Sequence, residues 1–356
     1  MKNEKIVILL PSLEDVSPIK AALIVANHYK NIGYHVTVIA LRSSNNKKAS
    51  VASGIDIIEM NLSSWFKAPF YLCKLNRIIR ELSPVLSMSY LLPADVMLAF
   101  CQTRKIANIR DILETSFSTR HFLFSLKLFR SIIKHSQFLY LGRFDEVIVM
   151  TKEMHDYYSP FVKSNVKLIH NFIDETRTFS LASCAIDYSF EKNIPYIVTV
   201  GSLIPRKCIS DLLDKVEFCF ENGLIFHTVI LGEGPLKNEL LNKTDNLRLS
   251  SNYIHFFGHQ DNPMPFIKNA NVFTLNSSSE GLSRAMLEAS FLKTPCLIRD
   301  ILGVKDFSDN CENVFIYNSN EEFYKQLQYI LSDKLESSLG QCYRERYCLE
   351  KYSELP

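Results

Sequence analysis

Short apolar runs that alternate with amphipathic stretches dominate the first half of the chain. The run Ile6–Leu10 is followed by a Ser-Pro pair at 17–18, by apolar residues at helical spacing over 19–29, and by Gly33. This order predicts a buried strand, an N-capped helix with proline in its first turn, and a glycine stop. Further strands are predicted at 35–41, 54–60, 85–89, 105–108 and 146–150. Strands that alternate with helices predict a parallel, doubly wound sheet.

The same alternation begins again after a break. Residues 166–174 predict a strand that runs into a polar turn, and residues 175–193, which show no clear period, are predicted to be an interdomain linker. A second series follows, with strands at 196–200, 226–231, 253–257, 271–275, 295–298 and 314–317, and helices at 209–220, 281–292, 321–331 and 336–352. We therefore expect two Rossmann-like α/β domains facing across a cleft, residues 1–174 and 175–335. The C-terminal helix, 336–356, could pack back on the first domain.

Composition narrows the class of protein. The chain has 356 residues, 47% hydrophobic and 22% charged, which argues against disordered, collagen-like and coiled-coil proteins. Nine cysteines without a C-x-x-C pair argue against zinc clusters and disulfide frameworks and favour a reducing compartment. The first apolar run, bounded by Lys5 and Pro11, is too short for a signal peptide, so we expect a cytoplasmic protein.

Charge is divided unevenly along the chain. Residues 1–174 carry 22 basic and 14 acidic side chains, a net of +8, and the remainder has a net of −6. Two basic-aromatic stretches lie in the positive half: Trp65–Arg80, with Lys67, Lys74, Arg77 and Arg80, and the stripe Phe122, Leu126, Phe129 and Ile133 beside Lys127, Arg130 and Lys134. A core-facing helix with a solvated basic face explains each stretch. The alternative is that they lie on an anionic membrane surface and admit a lipid-linked acceptor.

Three loops of the second domain carry candidate chemistry, because ligands of open α/β sheets bind beyond the carboxyl ends of the strands. The first reads Gly201-Ser202-Leu203-Ile204-Pro205-Arg206-Lys207, with two cations before a helix N-terminus. This arrangement suits a diphosphate, although a solvated loop is the alternative. The second, Gly232-Glu233-Gly234-Pro235, is a tight turn of the kind that is commonly architectural.

The third loop contains two glutamates eight residues apart, Glu280 and Glu288. On one helix they would differ by about 80° in azimuth and about 12 Å along the axis, so they could reach opposite ends of an extended ligand. A macrodipole would stabilise Glu280 at the helix N-terminus. The alternative is a capping carboxylate with an exposed helical glutamate.

Together these loops resemble the family-four retaining glycosyltransferases, which have two Rossmann-like domains in the GT-B fold and an E-x7-E marker. The resemblance covers most of the chain and is densest from Ile197 to Asn310. Five stretches carry it: HNFID (170–174), VTVGSLIPRK (198–207), VILGEGPLKNEL (229–240), IHFFGH (254–259) and NVFTLNSSSEGLSRAMLEASFLKTP (271–295).

The resemblance implies transfer of a sugar from a nucleotide diphosphate donor, with UDP the commonest nucleotide, to a glycan or lipid-linked acceptor in surface-polysaccharide assembly such as O-antigen or capsule. Arg206 and Lys207 would hold the diphosphate, Glu280 the donor sugar and Glu288 the ribose. The other implied donor contacts are Gly281, Leu282, Ser283, Gly201, Ser202, Gly232, His259 and Ser17. Neither a metal ion nor another cofactor is implied.

The chain departs from the family pattern at several positions. The first loop of the N-terminal domain, residues 11–18, lacks the glycines of relatives, so either the backbone approaches the phosphates differently or Ser17 substitutes. Arg110 stands where relatives often carry a histidine, and would contact a donor or acceptor phosphate. Cys208 and Cys311 replace glycines.

The resemblance also implies a mechanism. No carboxylate of the N-terminal domain is obviously placed as a nucleophile, so the acceptor would attack from the leaving-group face with retention. The alternatives are a nucleotide-sugar-binding protein without catalysis and a nucleotide-sugar epimerase of related fold. No motif for nucleic-acid binding is found.

Overall fold

The computed structural model describes residues 4–44, 48–64, 67–110, 127–186, 193–248, 250–301, 303–308, 311, 313–332, 351–352 and 355, without the side chains of 127–133, 305 and 306. The chain divides into two compact units, residues 1–172 with 348–356, and residues 173–347. The division between Phe172 and Ile173 lies beside the sequence-based boundary at Asp174.

The first unit contains a seven-stranded sheet. Its strands are β1 (Lys5–Leu10), β2 (His35–Ala40), β3 (Asp56–Glu59), β4 (Leu86–Tyr90), β5 (Lys105–Asn108), β6 (Glu146–Val149) and β7 (Asn165–Leu168). All neighbours pair in parallel, in the order β3-β2-β1-β4-β5-β6-β7. The helices of this unit are α1 (Ser17–Asn31), α2 (Ala68–Leu82), α3 (Leu92–Ala99), α4 (Lys127–Leu141) and α5 (Lys152–Tyr158).

Continuous apolar strands place the core of this unit on both faces of the sheet. All five residues from Ile6 to Leu10 are buried, as expected for a parallel strand covered on both sides. The core also takes in Tyr352 and Leu355 from the far end of the chain. The Tyr29 hydroxyl donates to the carbonyl of Tyr352 (2.7 Å), and the Tyr352 hydroxyl lies 3.3 Å from Asn108 Oδ1. Residues from beyond the second unit therefore complete the first.

The second unit repeats the architecture with six parallel strands. They are β8 (Tyr196–Val200), β9 (His227–Leu231), β10 (Ile254–Gly258), β11 (Val272–Leu275), β12 (Cys296–Arg299) and β13 (Val314–Tyr317), in the order β10-β9-β8-β11-β12-β13. Its helices are α6 (Glu175–Ala182), α7 (Ile209–Glu221), α8 (Lys237–Asp245), α9 (Met264–Asn269), α10 (Arg284–Phe291), α11 (Lys305–Ser308) and α12 (Asn320–Leu331). Both sheets have the Rossmann strand order. The first three strands are added toward one edge of the sheet, and the fourth and later strands are added on the other side of the first strand.

The structure corrects three expectations about helices: where α10 begins, what the interdomain linker contains, and which residue caps α1. Helix α10 begins at Arg284 after an N-cap at Ser283, so Glu280 precedes the helix. Helix α6 occupies part of the expected linker, because Asp174 caps it by accepting the N–H of Arg177 (2.9 Å). Ser17 is the first residue of α1 and does not cap it, since the N-cap is Val16 without a side-chain bond.

Three sequence-based predictions fall partly outside the described residues: the helix at 336–352, the apolar stripe from Phe122, and the basic-aromatic stretch that begins at Trp65. Among the helices that the structure describes, none combines the length and the apolar character needed to cross a membrane.

Candidate functional site

The loops after β8 and β11 meet at the switch point of the second sheet. The chain leaves β8 in one direction toward β9, and β11 lies on the other side of β8. Open α/β sheets bind their ligands in the crevice that forms at such a point. A short 3-10 helix, Pro205–Lys207, places Arg206 and Lys207 here, and the loop after β11 brings Glu280.

These three charged side chains form one cluster. Lys207 Nζ lies 2.5 Å from Glu280 Oε1, and Arg206 Nη1 lies 3.3 Å from Oε2. Arg206 Nη1 also donates to the carbonyl of Ser279 (3.0 Å), and the Ser277 hydroxyl donates to Glu280 Oε1 (2.9 Å). The side chains of Lys207 and Glu280 are 14% and 10% exposed, so their charges are largely removed from water.

The cluster keeps Glu280 ionised. Burial alone would raise the pKa of its carboxyl group, but the positive charges of Lys207 and Arg206 and hydrogen bonds from Lys207 and Ser277 hold that pKa below its usual value. The expected stabilisation by a helix macrodipole is replaced by direct ion pairs, because Glu280 lies before the first turn of α10.

Backbone contacts fix the two loops against each other. The N–H of Ser278 donates to the carbonyl of Arg206 (2.9 Å). Gly201 lies under the Lys207 side chain, since a Cβ there would be 3.1 Å from Lys207 Cε. Gly303, at φ +88°, supports the glutamate loop from behind, because its Cβ would lie 2.0 Å from the carbonyl oxygen of Gly281.

The glycine turn after β9 has an architectural role. Gly232 has φ +153°, and a Cβ on it would lie 1.9 Å from the carbonyl oxygen of Gly201. A Cβ on Gly234 would lie 2.4 Å from the carbonyl oxygen of Leu203. Side chains at these positions would push the turn away from the loop after β8.

The other predicted donor contacts are spread over the second unit. Glu288 lies in α10 and pairs with Arg284 one turn earlier (3.4 Å). Leu282 and Ser283 are buried, and Ser202 is exposed. His259 follows β10, half exposed, with Nε2 3.4 Å from Asp261 Oδ1.

In the first unit, Arg110 follows β5 at the carboxyl edge of the sheet. Its Nη1 lies 3.3 Å from Asn171 Oδ1 and 3.1 Å from Met150 Sδ, and its guanidinium stacks 4.9 Å from the centre of the Tyr90 ring. Its Nε and Nη2 are buried and find no hydrogen-bond partner among the described residues. Donors of this kind suit an anionic group. Ser17, the predicted donor contact of this unit, is exposed.

The basic stretches differ in what they present. Lys74, Arg77 and Arg80 lie exposed on α2, whose Phe70 is 71% exposed. The Lys134 ammonium instead lies 4.7, 5.1 and 5.7 Å from the ring centres of Tyr157, Phe161 and Phe138, a cation–π placement that its stripe did not predict. The side chains of Lys127 and Arg130 lie outside the described part.

Sequence reasoning missed several partners of these residues. Ser277, three residues before Glu280, could have been found from the spacing that lets a hydroxyl reach the carboxylate of its own loop. Asn276 and Asp211 also support the loops, and no signal in the sequence distinguished them. In the described part of the chain, no group of three or more histidine, cysteine or carboxylate side chains could hold a metal ion.

Comparison with known proteins agrees with this geometry. Residues 187–346 match the family described as "Glycosyl transferases group 1". Over 219 residues the chain is 27% identical to the poly(ribitol-phosphate) alpha-N-acetylglucosaminyltransferase of Staphylococcus aureus, covering 60% of this chain and 42% of that protein. Over 150 residues it is 29% identical to an Escherichia coli UDP-Gal:alpha-D-GlcNAc-diphosphoundecaprenol alpha-1,3-galactosyltransferase, covering 41% of this chain and 38% of that protein. The chain thus spans about half or less of the length of these two relatives.

Solved structures extend the likeness to the whole fold. Anabaena Alr3699/HepE, in complex with UDP and glucose, superposes with a TM-score of 0.74 at 14% identity, over 98% of this chain and 97% of that one. The family match lies in the second unit, which carries the Arg206, Lys207 and Glu280 cluster. Residues 187–346 therefore resemble the group 1 glycosyltransferases, and the chain has the GT-B fold.

Proposed function

We propose that this protein transfers a sugar from a UDP-linked donor to a glycan or lipid-linked acceptor in the assembly of a surface polysaccharide. The observation that carries the proposal is the contact of Lys207 and Arg206 with Glu280 at the switch point of the second sheet. Two relatives support it: one is named as a poly(ribitol-phosphate) alpha-N-acetylglucosaminyltransferase, and the name of the other contains a UDP-sugar donor and a diphosphoundecaprenol acceptor.

In this proposal the two cations hold the donor diphosphate. A lysine ammonium has three N–H donors, and the contact with Glu280 uses one of them. As the bond to the sugar breaks, negative charge grows on the leaving diphosphate, and fixed positive charges in a poorly hydrated site stabilise it. They can do without a metal ion what a divalent cation does in other transferases.

The glutamates hold the two ends of the donor. Glu280 is kept ionised and can accept hydrogen bonds from sugar hydroxyls, with the backbone of Gly281 and Leu282 beside it. Glu288, on α10, would accept from the ribose hydroxyls once its contact with Arg284 adjusts. Such contacts orient the donor so that the anomeric carbon is presented to the acceptor.

We infer a retaining reaction without a covalent enzyme intermediate. The acceptor hydroxyl attacks from the face that the diphosphate leaves, and a phosphate oxygen takes the hydroxyl proton. The protein contributes orientation and charge stabilisation, and no carboxylate of this chain is needed as a nucleophile. Arg110, with buried Nε and Nη2 donors, would bind a phosphate of the donor or acceptor.

The acceptor side is proposed to lie at the cytoplasmic face of a membrane. The exposed cations of α2 and the exposed Phe70 support attachment to an anionic surface. A lipid-linked acceptor would then be reached at that surface.

A panel of UDP- and GDP-sugars tests the proposal. A bound donor raises the melting temperature of the purified protein, and the stabilised member of the panel is then tested for release of nucleotide and for transfer to lipid-linked acceptors. We expect a UDP-sugar to bind, and EDTA to leave transfer unchanged. Binding without turnover would favour the non-catalytic alternative, and conversion of the sugar without an acceptor would favour an epimerase. Loss of transfer on chelation, restored by Mg²⁺ or Mn²⁺, would contradict the metal-free mechanism.

A further inference from the structure

Asn276 forms a buried junction beneath the candidate site. It follows β11 and is 1% exposed. Its amide nitrogen donates to the carbonyl oxygen of Cys208 and to Asp211 Oδ2, both at 2.8 Å. Its Oδ1 accepts the hydroxyl proton of Tyr317 (2.5 Å). Both amide hydrogens are therefore used, and the side chain is held in one orientation.

The carbonyl that Asn276 holds belongs to the residue directly after Lys207. Cys208 has φ +48° and ψ +40°, the left-handed region, which a residue with a Cβ adopts against a steric cost. The same carbonyl accepts the N–H of Leu212 in the first turn of α7 (3.1 Å). We call Pro205–Lys207, which carries both cations, the cation segment. The hydrogen bond from Asn276 therefore holds Cys208, the strained residue that joins the cation segment to α7.

Asp211, on α7, accepts a hydrogen bond from the Asn276 amide and is itself held by two cations. Its Oδ2 also accepts Lys215 Nζ (2.9 Å) and lies 3.4 Å from Arg299 Nη1. Burial would raise the pKa of Asp211, but hydrogen bonds from Lys215 and Asn276 and the charges of Lys215 and Arg299 hold it below its usual value. An ionised Asp211 thus gives Asn276 a strong acceptor, tied to α7 and to the end of β12.

The two residues after Asn276 also contact the charged cluster of the candidate site. Ser277 donates to Glu280 Oε1 (2.9 Å), and the N–H of Ser278 donates to the carbonyl of Arg206 (2.9 Å). Three consecutive residues, 276–278, therefore bond to the cation segment at Arg206 and Cys208 and to the carboxylate opposite it.

We propose that Asn276 is a positioning residue, which sets the place of Lys207 relative to Glu280 by holding the carbonyl of Cys208. The proposal rests on the proposed function for its kinetic consequence. A displacement of reacting groups by about 1 Å can cost about 100-fold in rate. We expect Asn276→Ala to lower kcat about tenfold or more, with the KM for the donor changed less than about threefold, because both cations remain present.

A double substitution separates positioning from stability. In Asn276→Asp, two carboxylates face each other at positions 276 and 211, and both the melting temperature and kcat should fall. Adding Asp211→Asn restores an amide–carboxylate pair between the two positions but supplies no donor from position 276 to the carbonyl of Cys208. We expect the melting temperature to recover while kcat stays low. Recovery of both would overturn the proposal.

Asn313→Ala is the matched control. Asn313 is a buried asparagine of the same unit that also donates to backbone carbonyls, those of Thr294 (3.3 Å) and Ser290 (3.5 Å), at the amino end of β13. Its loss should lower the melting temperature and leave kcat per folded molecule unchanged. An equal fall of kcat in both alanine variants would reduce Asn276 to a general structural role and contradict the proposal.

Alkylation of Cys208 tests the junction without any catalysis. Its thiol is partly exposed, whereas Cys184 is exposed and lies outside both loops. In the full chain without nucleotide, Asn276→Ala should raise the iodoacetamide reaction rate of Cys208 several-fold, measured by peptide mass spectrometry, and leave Cys184 as the internal reference. An unchanged rate would overturn the junction itself. If the wild-type protein transfers no sugar, the proposed function fails, but this measurement still decides whether Asn276 holds the segment.

Discussion

Glu280 contacts the same two cations that the proposed function assigns to the donor diphosphate. The three side chains are therefore preorganised before any ligand arrives, since Lys207 and Arg206 are already held by the carboxylate. Preorganised charges need no rearrangement when the reaction develops new charge. Glu288 has a different environment on α10, where its Oε1 lies 3.4 Å from Arg284 Nη2 one turn earlier.

These environments predict different effects for the two glutamates. Glu288→Gln should weaken donor binding, because a charged acceptor for ribose hydroxyls contributes about 1.5–3 kcal/mol, or about 10- to 150-fold in Kd. Glu280→Ala should mainly lower kcat, since the diphosphate keeps both cations while the reacting sugar loses its partner. Calorimetric titration of UDP-sugar and steady-state kinetics measure the two effects. Glu239→Gln, an exposed position on α8, is the control, and full activity of both site variants would contradict the assignment.

A buried carboxyl group of the first unit, Asp95 on α3, gives a prediction about pH. It is 2% exposed and accepts the Ser89 hydroxyl (2.7 Å). Burial raises its pKa from 3.8 to about 8, against the opposing effects of the Ser89 hydrogen bond and the Arg110 charge. The folded protein therefore keeps a proton that the unfolded chain releases. Its contribution to stability is complete below about pH 4 and is lost as the pH rises through about 8.

Asp95→Asn removes this proton linkage and keeps an acceptor for Ser89. The variant should gain stability over the wild type by up to about 1.4 kcal/mol for each pH unit between the two pKa values. Urea unfolding at pH 5, 6, 7 and 8 measures the gain, with Asp56→Asn at an exposed position of β3 as the control. The same difference at pH 5 and pH 8 would show that Asp95 does not titrate in this range.

At the scale of elements, the close approach of the turns after β8 and β9 determines which substitutions the second unit tolerates. Gly232 and Gly223 both have positive φ, but a Cβ on Gly223 meets nothing within 4 Å, whereas one on Gly232 would lie 1.9 Å from the Gly201 carbonyl oxygen. An alanine at either position would therefore have a strained backbone, but only an alanine at 232 would also clash with a neighbouring loop.

Gly232→Ala should consequently cost more than Gly223→Ala. We expect about 1 kcal/mol for Gly223→Ala, from the left-handed backbone alone, and more for Gly232→Ala, together with weaker donor binding, because Gly201 and the Lys207 side chain over it must move. Thermal unfolding and donor titration measure both variants. Equal losses of stability with unchanged donor binding would mean that the turn yields without disturbing the loop after β8.

The elements themselves were largely predictable from the sequence. Buried parallel strands such as β1, β8 and β11 are continuous apolar runs, and their alternation with helices fixes the class of sheet. Helix α6 was missed because it is only eight residues long and few of its residues are buried, although the Asp174 cap was a usable signal. The helix predicted from residue 281 begins at Arg284, because Leu282 fits the apolar spacing of the helix but lies in the loop before the N-cap at Ser283.

The candidate site was predictable only in part. The charges of Arg206, Lys207 and Glu280 and the glycines around them follow a recognisable spacing. Their contacts depend on which strands become neighbours, and β8 and β11 are 72 residues apart in sequence, counted from Val200 to Val272. Buried partners such as Asn276 and Asp95 carry no periodic signal, because one polar residue among apolar ones is common in any strand end or short helix.

At the scale of the whole molecule, the end of the chain is part of the first unit. Tyr352 is fully buried there, packs against Phe172 at 5.5 Å between ring centres, and exchanges hydrogen bonds with Tyr29 and Asn108. Deleting a buried aromatic side chain of this kind costs about 3–5 kcal/mol.

Tyr352→Ala should therefore destabilise the first unit and spare the second. Hydrogen exchange followed by mass spectrometry reports on each unit separately, and protection should fall in β1 and α1 but not in β8 and β11. Tyr329→Ala, at a half-exposed position on α12, is the control. Uniform loss of protection across both sheets would contradict an effect confined to the first unit.

The charge division of the chain gives the last prediction, on membrane attachment. Each exposed Lys or Arg near an anionic surface contributes about 1 kcal/mol, so changing Lys74, Arg77 and Arg80 of α2 to glutamine should release the full-length protein from anionic vesicles at low salt. The control changes three exposed cations of the second unit, Arg248, Lys268 and Lys293, to glutamine. Co-sedimentation measures the bound fraction. Failure of the wild-type protein to bind at low salt would make a soluble acceptor the better proposal.

The return of Tyr352 and Leu355 to the first core also has a consequence for biosynthesis. A ribosome makes residues 1–172 first, yet the core that they build is completed only after the whole of residues 173–347 has been synthesised. The second unit has all its residues in one continuous segment and can close as soon as that segment leaves the exit tunnel. We therefore expect the later-made unit to mature first, while the earlier-made one waits in an open state that chaperones would recognise.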